Sequence, residues 1–274
     1  YDFDLQWVWQ MLKERQSFNY PLPTEKKWAA RFQSLLEKVE ELKAEQWTPF
    51  VDPRQQQIAR DLLHHFPGIK CSFFGGYPEA ERVRIGLRPL SLPGGLEGEA
   101  VGCLSVRGNY PEGVLTHRDF LGALMGLGIK REMVGDIIYR GGEKAFIFLV
   151  KDLLPFVKAN LQRAGRYALE VEEIEPEALT SEFAPRRVKE IRGTVASMRL
   201  DAVAGLGFGI SRSKIAPLIK GEQVKVNYQI VKQPSRMVKE GDVISMAGTG
   251  RIEVVEKKGE SRKGRTHLLL FRII

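Results

Sequence analysis

The sequence predicts an α+β protein in three parts: a helical opening segment, a centre in which helices sit among short strands, and a basic final third of short helices and strands. Three observations carry this prediction. Apolar residues recur at helical spacing within 1–68, alternating apolar runs interrupted by two helices fill 69–178, and positive charge accumulates from Pro185 onward. With 274 residues, 43% of them apolar and 28% charged, the chain has material for two or three cores and lacks the composition of an extended disordered protein.

In the opening segment, Thr24 is positioned to cap an amphipathic helix over 25–45, where Phe32, Leu35, Leu36, Val39 and Leu42 share one face. Asp52 followed by Pro53 marks the start of a second helix, which Pro67-Gly68 stops after His65. Strands are expected at 70–74, 82–87, 100–106, 136–139, 145–149 and 168–173. Thr116 and Asp119 form a capping-box pair ahead of Phe120, Leu121, Leu124 and Leu127, and a further helix is expected over 153–164, ending at Gly165. Two helices among strands predict a sheet with helices on one face. The stretch 170–182, with six glutamates around Pro176, reads as a linker.

From Pro185 to the end there are 19 lysines and arginines against 8 acidic residues, a net +11, whereas the preceding residues carry 23 against 26, a net −3. Such asymmetry suits a polyanion-binding module attached to near-neutral domains, although a lysine-rich surface kept for solubility has the same signature. No apolar stretch approaches the roughly 18–20 residues that span a bilayer, so no membrane partner is expected. Cys71 and Cys103 are too few for a disulfide framework, which points to a reducing compartment.

Within the basic third, Arg199-Leu200-Asp201, Ser211-Arg212, Leu218-Ile219-Lys220-Gly221, Val224-Lys225-Val226-Asn227, Pro234-Ser235 and Val238-Lys239-Glu240-Gly241-Asp242-Val243-Ile244 follow in order. The string resembles the S4 RNA-binding domain. Locally, Ser211 reads as the cap of a short helix whose first turn carries Arg212 and Lys214, and Lys225 as the outward residue of a strand. The resemblance implies RNA contacts from Arg199, Ser211, Arg212, Lys214, Lys220, Lys225 and Asn227, with Lys232 beside them; phosphate contacts of this kind position a protein without reading sequence. Tyr228 stands where many S4 domains carry glycine, and reads either as a residue that stacks on RNA or as simple packing. Pro217 predicts a second helix that is short or kinked. Strands at 251–256 and 266–273 frame a basic hairpin tip that includes Arg262 and Lys263, either a second RNA contact or a charged edge guard.

The run Thr116-His117-Arg118-Asp119-Phe120-Leu121-Gly122-Ala123-Leu124-Met125-Gly126-Leu127-Gly128-Ile129-Lys130-Arg131-Glu132, followed by Gly135-Asp136-Ile137, resembles the YlmH family of bacterial and plastid S4 proteins. The likeness spans the middle and C-terminal parts, about two thirds of the chain. The likeness is weaker before Pro53, so the helical N-terminal domain over 1–68 rests on its own residues; the resemblance implies an RRM-like central domain over 69–178 and an S4 (αL-type) domain with a C-terminal hairpin over 185–274, in an α+β protein. It further implies binding to rRNA of the large ribosomal subunit and to tRNA, in quality control of stalled nascent chains. Arg118, Lys130 and Arg131 flank the helix at Thr116 and could meet RNA or simply solvate a helix end. RRM sheets display stacking aromatics on central strands; Phe73, Phe74, Phe146 and Phe148 are the candidates, with burial in a core as the stronger reading.

Enzymatic readings are weaker. Arg199-Leu200-Asp201 resembles the catalytic Arg-Leu-Asp of S4-containing pseudouridine synthases, but the following Ala202-Val203-Ala204-Gly205 continues a helix, which makes Asp201 a structural or surface carboxylate. The four histidines and two cysteines show no metal-ligand spacing, and Gly205-x-Gly207-x-Gly209 reads as a flexible corner between two helices rather than a dinucleotide loop. The expectation is a non-catalytic, monomeric RNA-binding protein without cofactor or metal, cytoplasmic, or in the plastid stroma if a leader has been removed. The alternatives are an RNA-modifying enzyme and an S4 scaffold in cell division or photosystem biogenesis.

Overall fold

The structure, a computed structural model, describes residues 20, 22–94, 96, 100–111, 114–139, 144–175, 188–246, 248–260 and 264–273. The chain divides into two compact units, the break falling after Glu177. Among the described residues no helix is long and apolar enough to cross a membrane.

The first unit opens with α1 (Pro23–Leu42). Its cap position is Leu22, not Thr24, and Pro23 supplies the helical φ at the first turn without a side-chain cap. Helix α2 (Pro53–Leu63) has the expected start: the Gln55 amide donates to Asp52 Oδ1 at 2.8 Å while the Asp52 amide donates to Gln55 Oε1 at 2.9 Å. Strands β1 (Gln46–Trp47), β2 (Ile69–Phe74) and β3 (Arg84–Pro89) form an antiparallel sheet in the order β1-β3-β2. The helices pack on it, with Phe32, Leu36, Val39, Ile58, Leu62, Ile85 and Leu87 buried between them.

A second sheet follows, built from β4 (Val101–Arg107), β5 (Val134–Tyr139), β6 (Lys144–Val150) and β9 (Glu170–Ile174) in the order β5-β6-β4-β9. One face, with Leu104, Val106, Ile147 and Leu149, is covered by α3 (His117–Gly126) and α4 (Leu154–Asn160) through Phe120, Leu124, Leu154 and Val157. The expected helix over 153–164 stops at Asn160, because Arg163–Ala164 (β7) and Tyr167–Ala168 (β8) pair across a turn in which Gly165 takes φ +56°. The glutamates over 170–174 are an edge strand on β4 rather than linker; the rest of that stretch, from 176, lies outside the described residues.

The opposite face of this sheet decides whether it resembles an RRM in use as well as in shape. Phe146 and Phe148 are both fully buried. The loop after β2 lies on that face, with the Tyr77 ring 4.9 Å from that of Phe148 and its hydroxyl donating to Asp136 at 2.7 Å. The amides of Glu81 and Arg82 also donate to Asp136, at 2.6 and 3.2 Å. Phe146 and Phe148 are core residues, and the part of the sheet they occupy offers no aromatic platform.

In the second unit, β10 (Val188–Val195), β11 (Val224–Val226), β12 (Gln229–Ile230), β13 (Val243–Met246), β14 (Gly250–Glu260) and β15 (Thr266–Ile273) form one antiparallel sheet in the order β10-β15-β14-β13-β11-β12. Helices α5 (Leu200–Phe208) and α6 (Arg212–Lys220) close its core, which includes Leu200, Val203, Phe208, Ile215, Ile219, Val224, Ile244, Ile252 and Leu270. Helix α6 is short, as Pro217 predicts, but runs through the proline. The glycine reading needs correction. Gly205 and Gly207 lie inside α5, where a Cβ on Gly205 would stand 2.9 Å from the Ile210 carbonyl oxygen; only Gly209, at φ +69°, forms the corner.

Candidate nucleic-acid interface

The S4-like string folds so that the first turns of α5 and α6 meet. Two features of the sequence bring this about: the apolar run of α5 must be buried, and Gly209 reverses the chain directly into Ser211 and α6. The start of α5 is closed by backbone. The Leu200 amide donates to the Arg236 carbonyl at 2.8 Å and that of Asp201 to the Pro234 carbonyl at 3.0 Å, which is the work of the Pro234-Ser235 landmark. The start of α6 differs. Ser211 occupies the cap position but its side chain makes no capping hydrogen bond; its hydroxyl lies 3.1 Å from that of Ser213, and both residues are exposed.

Between these two helix starts lies Asp201, only 5% exposed. Arg199 grips it in a fork, Nε to Oδ1 at 3.2 Å and Nη2 to Oδ2 at 2.9 Å, and Arg212 Nη2 donates to the same Oδ2 at 2.9 Å. The arginine side chains are 37% and 55% exposed, so both guanidiniums are anchored from beneath and face water. The Arg199 hydrogen bond, offset by burial and reinforced by Arg212, holds the Asp201 carboxyl below the usual carboxylate range; Asp201 in turn raises Arg199. A buried, doubly paired carboxylate sits at the centre of the cluster, a role that the order of residues alone does not reveal.

The structure therefore brings together Arg199, Ser211, Arg212 and Lys214, the last exposed in the first turn of α6. Lys220 is exposed at the other end of that helix. Lys225 is exposed between the buried Val224 and Val226, so it lies on the sheet face turned away from the helices, in register with Ser245 and, one strand further, Arg251. Asn227 is engaged in the fold: its Nδ2 donates to Asp242 at 2.9 Å and its Oδ1 accepts from the Val243 amide at 2.9 Å. Asn227 and Tyr228 both take left-handed φ, +49° and +66°, as the tight turn between β11 and β12 requires, and the Arg251 guanidinium lies 5.4 Å from the Tyr228 ring centre. Lys232 pairs with Glu222 at 2.6 Å on the surface. Arg262 and Lys263 lie outside the described residues.

In the first unit, Arg118 and Lys130 are exposed, whereas Arg131 is half-buried and donates to the carbonyls of Val134 and Gly135 at 2.6 and 3.3 Å. Burial and the neighbouring Arg82 guanidinium lower the Arg131 pKa to about 10. Its main engagement is with its own sheet. Among the described residues no group of histidine, cysteine, aspartate and glutamate could hold a metal ion. Burial raises the Cys103 thiol to about 12 and also raises that of Cys71.

Comparison with known proteins matches three stretches of the chain to family models: residues 26–92 to "YlmH, N-terminal", 106–178 to "Putative RNA-binding domain in YlmH", and 198–244 to the S4 domain. The chain is 37% identical over 220 residues to the ribosome-associated protein quality control protein P2 of Bacillus subtilis, covering 80% of this chain and 83% of that protein. The chain belongs to the YlmH family. A solved structure, the cell division protein ylmH from Streptococcus pneumoniae, aligns with a TM-score of 0.51 at 24% identity, covering 62% of this chain and all of that one, and supports the fold. The S4 model spans both arginines and Asp201, along with the turn at Asn227 and Tyr228.

Proposed function

We propose that this YlmH protein is a non-catalytic RNA-binding protein that engages rRNA and tRNA on the large ribosomal subunit during quality control of stalled nascent chains. The observation that carries the reading is the pair of water-facing guanidiniums held at adjoining helix starts within an S4 domain whose surrounding segment has a net charge of +11. A fixed pair of guanidiniums matches phosphate geometry better than mobile lysines do. The quality-control name of the Bacillus subtilis relative supports the ribosomal setting. The partner in ion pairs of a buried Asp201 supports a binding rather than a catalytic role for the Arg-Leu-Asp motif. The protein acts as a monomer, in the compartment that holds the ribosomes.

The test is co-sedimentation of the full chain with free large subunits that carry peptidyl-tRNA, combined with crosslinking in cells. Recovery with those subunits and with rRNA is expected. Crosslinks to protein without RNA would favour the scaffold reading, and loss of an rRNA uridine modification on deleting the gene would favour the enzyme.

A further inference from the structure

We propose that Arg199, Asp201 and Arg212 work as one unit that seats a single backbone phosphate, with Asp201 as its positioning residue; the proposal rests on the RNA-binding reading above. Both Nη2 atoms lie 2.9 Å from the same carboxylate oxygen, so the two guanidiniums are no further apart than twice that distance. Two cations that close repel each other, and each belongs to a long side chain with considerable freedom to lose. Asp201 removes both obstacles. Its charge lies between theirs, and its burial at 5% exposure fixes it by packing rather than by water.

The arrangement is unequal in a way that points outward. The carboxylate is hidden and the guanidiniums are exposed, the reverse of an ion pair serving only to neutralise a buried cation. The three groups carry a net single positive charge, which one phosphodiester cancels. Beside them is the start of α6, nine residues long, whose cap side chain makes no hydrogen bond to a first-turn amide and whose Ser211 and Ser213 residues are exposed. A helix start with this composition favours an anion.

The sign of one substitution separates positioning from bulk electrostatics. Asp201→Asn removes a negative charge and so raises the net charge of the site by one; charge alone therefore predicts tighter binding, whereas loss of positioning predicts weaker binding. With the full chain and purified bacterial large ribosomal subunits, we expect Asp201→Asn to bind about tenfold more weakly, the size of one lost charge-assisted hydrogen bond. The same change in an Arg199→Ala, Arg212→Ala background should have no further effect. A purely structural aspartate would weaken binding in both backgrounds. If Asp201→Asn fails to fold, Arg199→Lys keeps the charge but loses the fork, and should weaken binding several-fold with an unchanged melt. Equal or tighter binding by Asp201→Asn, or an Arg199→Lys that binds like wild type, overturns the proposal alone. Wild-type protein that does not bind the subunits overturns the functional reading and this proposal with it.

Discussion

Tyr228 holds a backbone conformation that costs an ordinary residue about 1–2 kcal/mol, and its ring lies beneath Arg251 instead of in the core around α5 and α6. The two effects nearly offset one another. Replacing it with glycine releases the strain but gives up a cation–π contact worth about 0.5–1 kcal/mol and adds freedom to the unfolded chain. Tyr228→Gly should therefore leave the thermal melt close to wild type, while Tyr228→Ala, which keeps the strain and loses the ring, should lower stability by about 1 kcal/mol. Asp201 behaves differently with pH. Its carboxyl titrates below the ordinary range in the folded protein, so its contribution is complete at neutral pH and is lost as pH falls below the unfolded value of about 3.9 toward the folded one. The stability gap between wild type and Asp201→Asn, measured by denaturant unfolding, should shrink as pH is lowered through that window.

At the scale of elements, the central sheet is covered on both faces. Helices α3 and α4 take one, and the loop carrying Gly76, Tyr77 and Arg82 takes the other at Phe148. Phe148→Ala should destabilise the first unit by about 3–5 kcal/mol, as expected for a fully buried aromatic, and leave RNA affinity unchanged wherever the protein remains folded. A loss of affinity with an intact fold would restore the stacking role. Helix α5 illustrates a second constraint. Alanine would normally improve a helix over glycine, but at Gly205 the added Cβ meets backbone, so the close approach of α5 to the start of α6 depends on a residue with poor helix propensity.

For the whole molecule, charge is divided between a near-neutral first part and a basic last third. If about four to six phosphates are neutralised, the logarithm of affinity should fall with the logarithm of salt by roughly 0.7–0.9 per phosphate. Lys225→Ala, which removes an exposed cation from the sheet, should lower that slope by about one such increment without altering the melt. A salt-independent affinity would refute the electrostatic account. The two groups of basic residues in the S4 unit lie at the helix starts and on the far face of the sheet, so RNA that reaches both must bend around the unit or present two elements to it.

Much of this protein is determined by sequence because it is local. Helical spacing in α1, the Asp52 and Gln55 box and the stop at Gly209 each depend on residues a few positions apart, and the charge step at Pro185 on composition alone. The order of the S4 landmarks made Arg199, Ser211, Arg212 and Lys225 legible as candidates for the same reason. Tertiary structure decided what depends on distant partners. It joined β2 and β3 to β1 and the opening helices, buried Phe148 beneath a loop some seventy positions earlier, and engaged Asn227 and Arg131 in the fold. It also turned Asp201 from an ambiguous carboxylate into the common anchor of two arginines, because only the packing of α5 against α6 brings residues eleven positions apart to one oxygen atom.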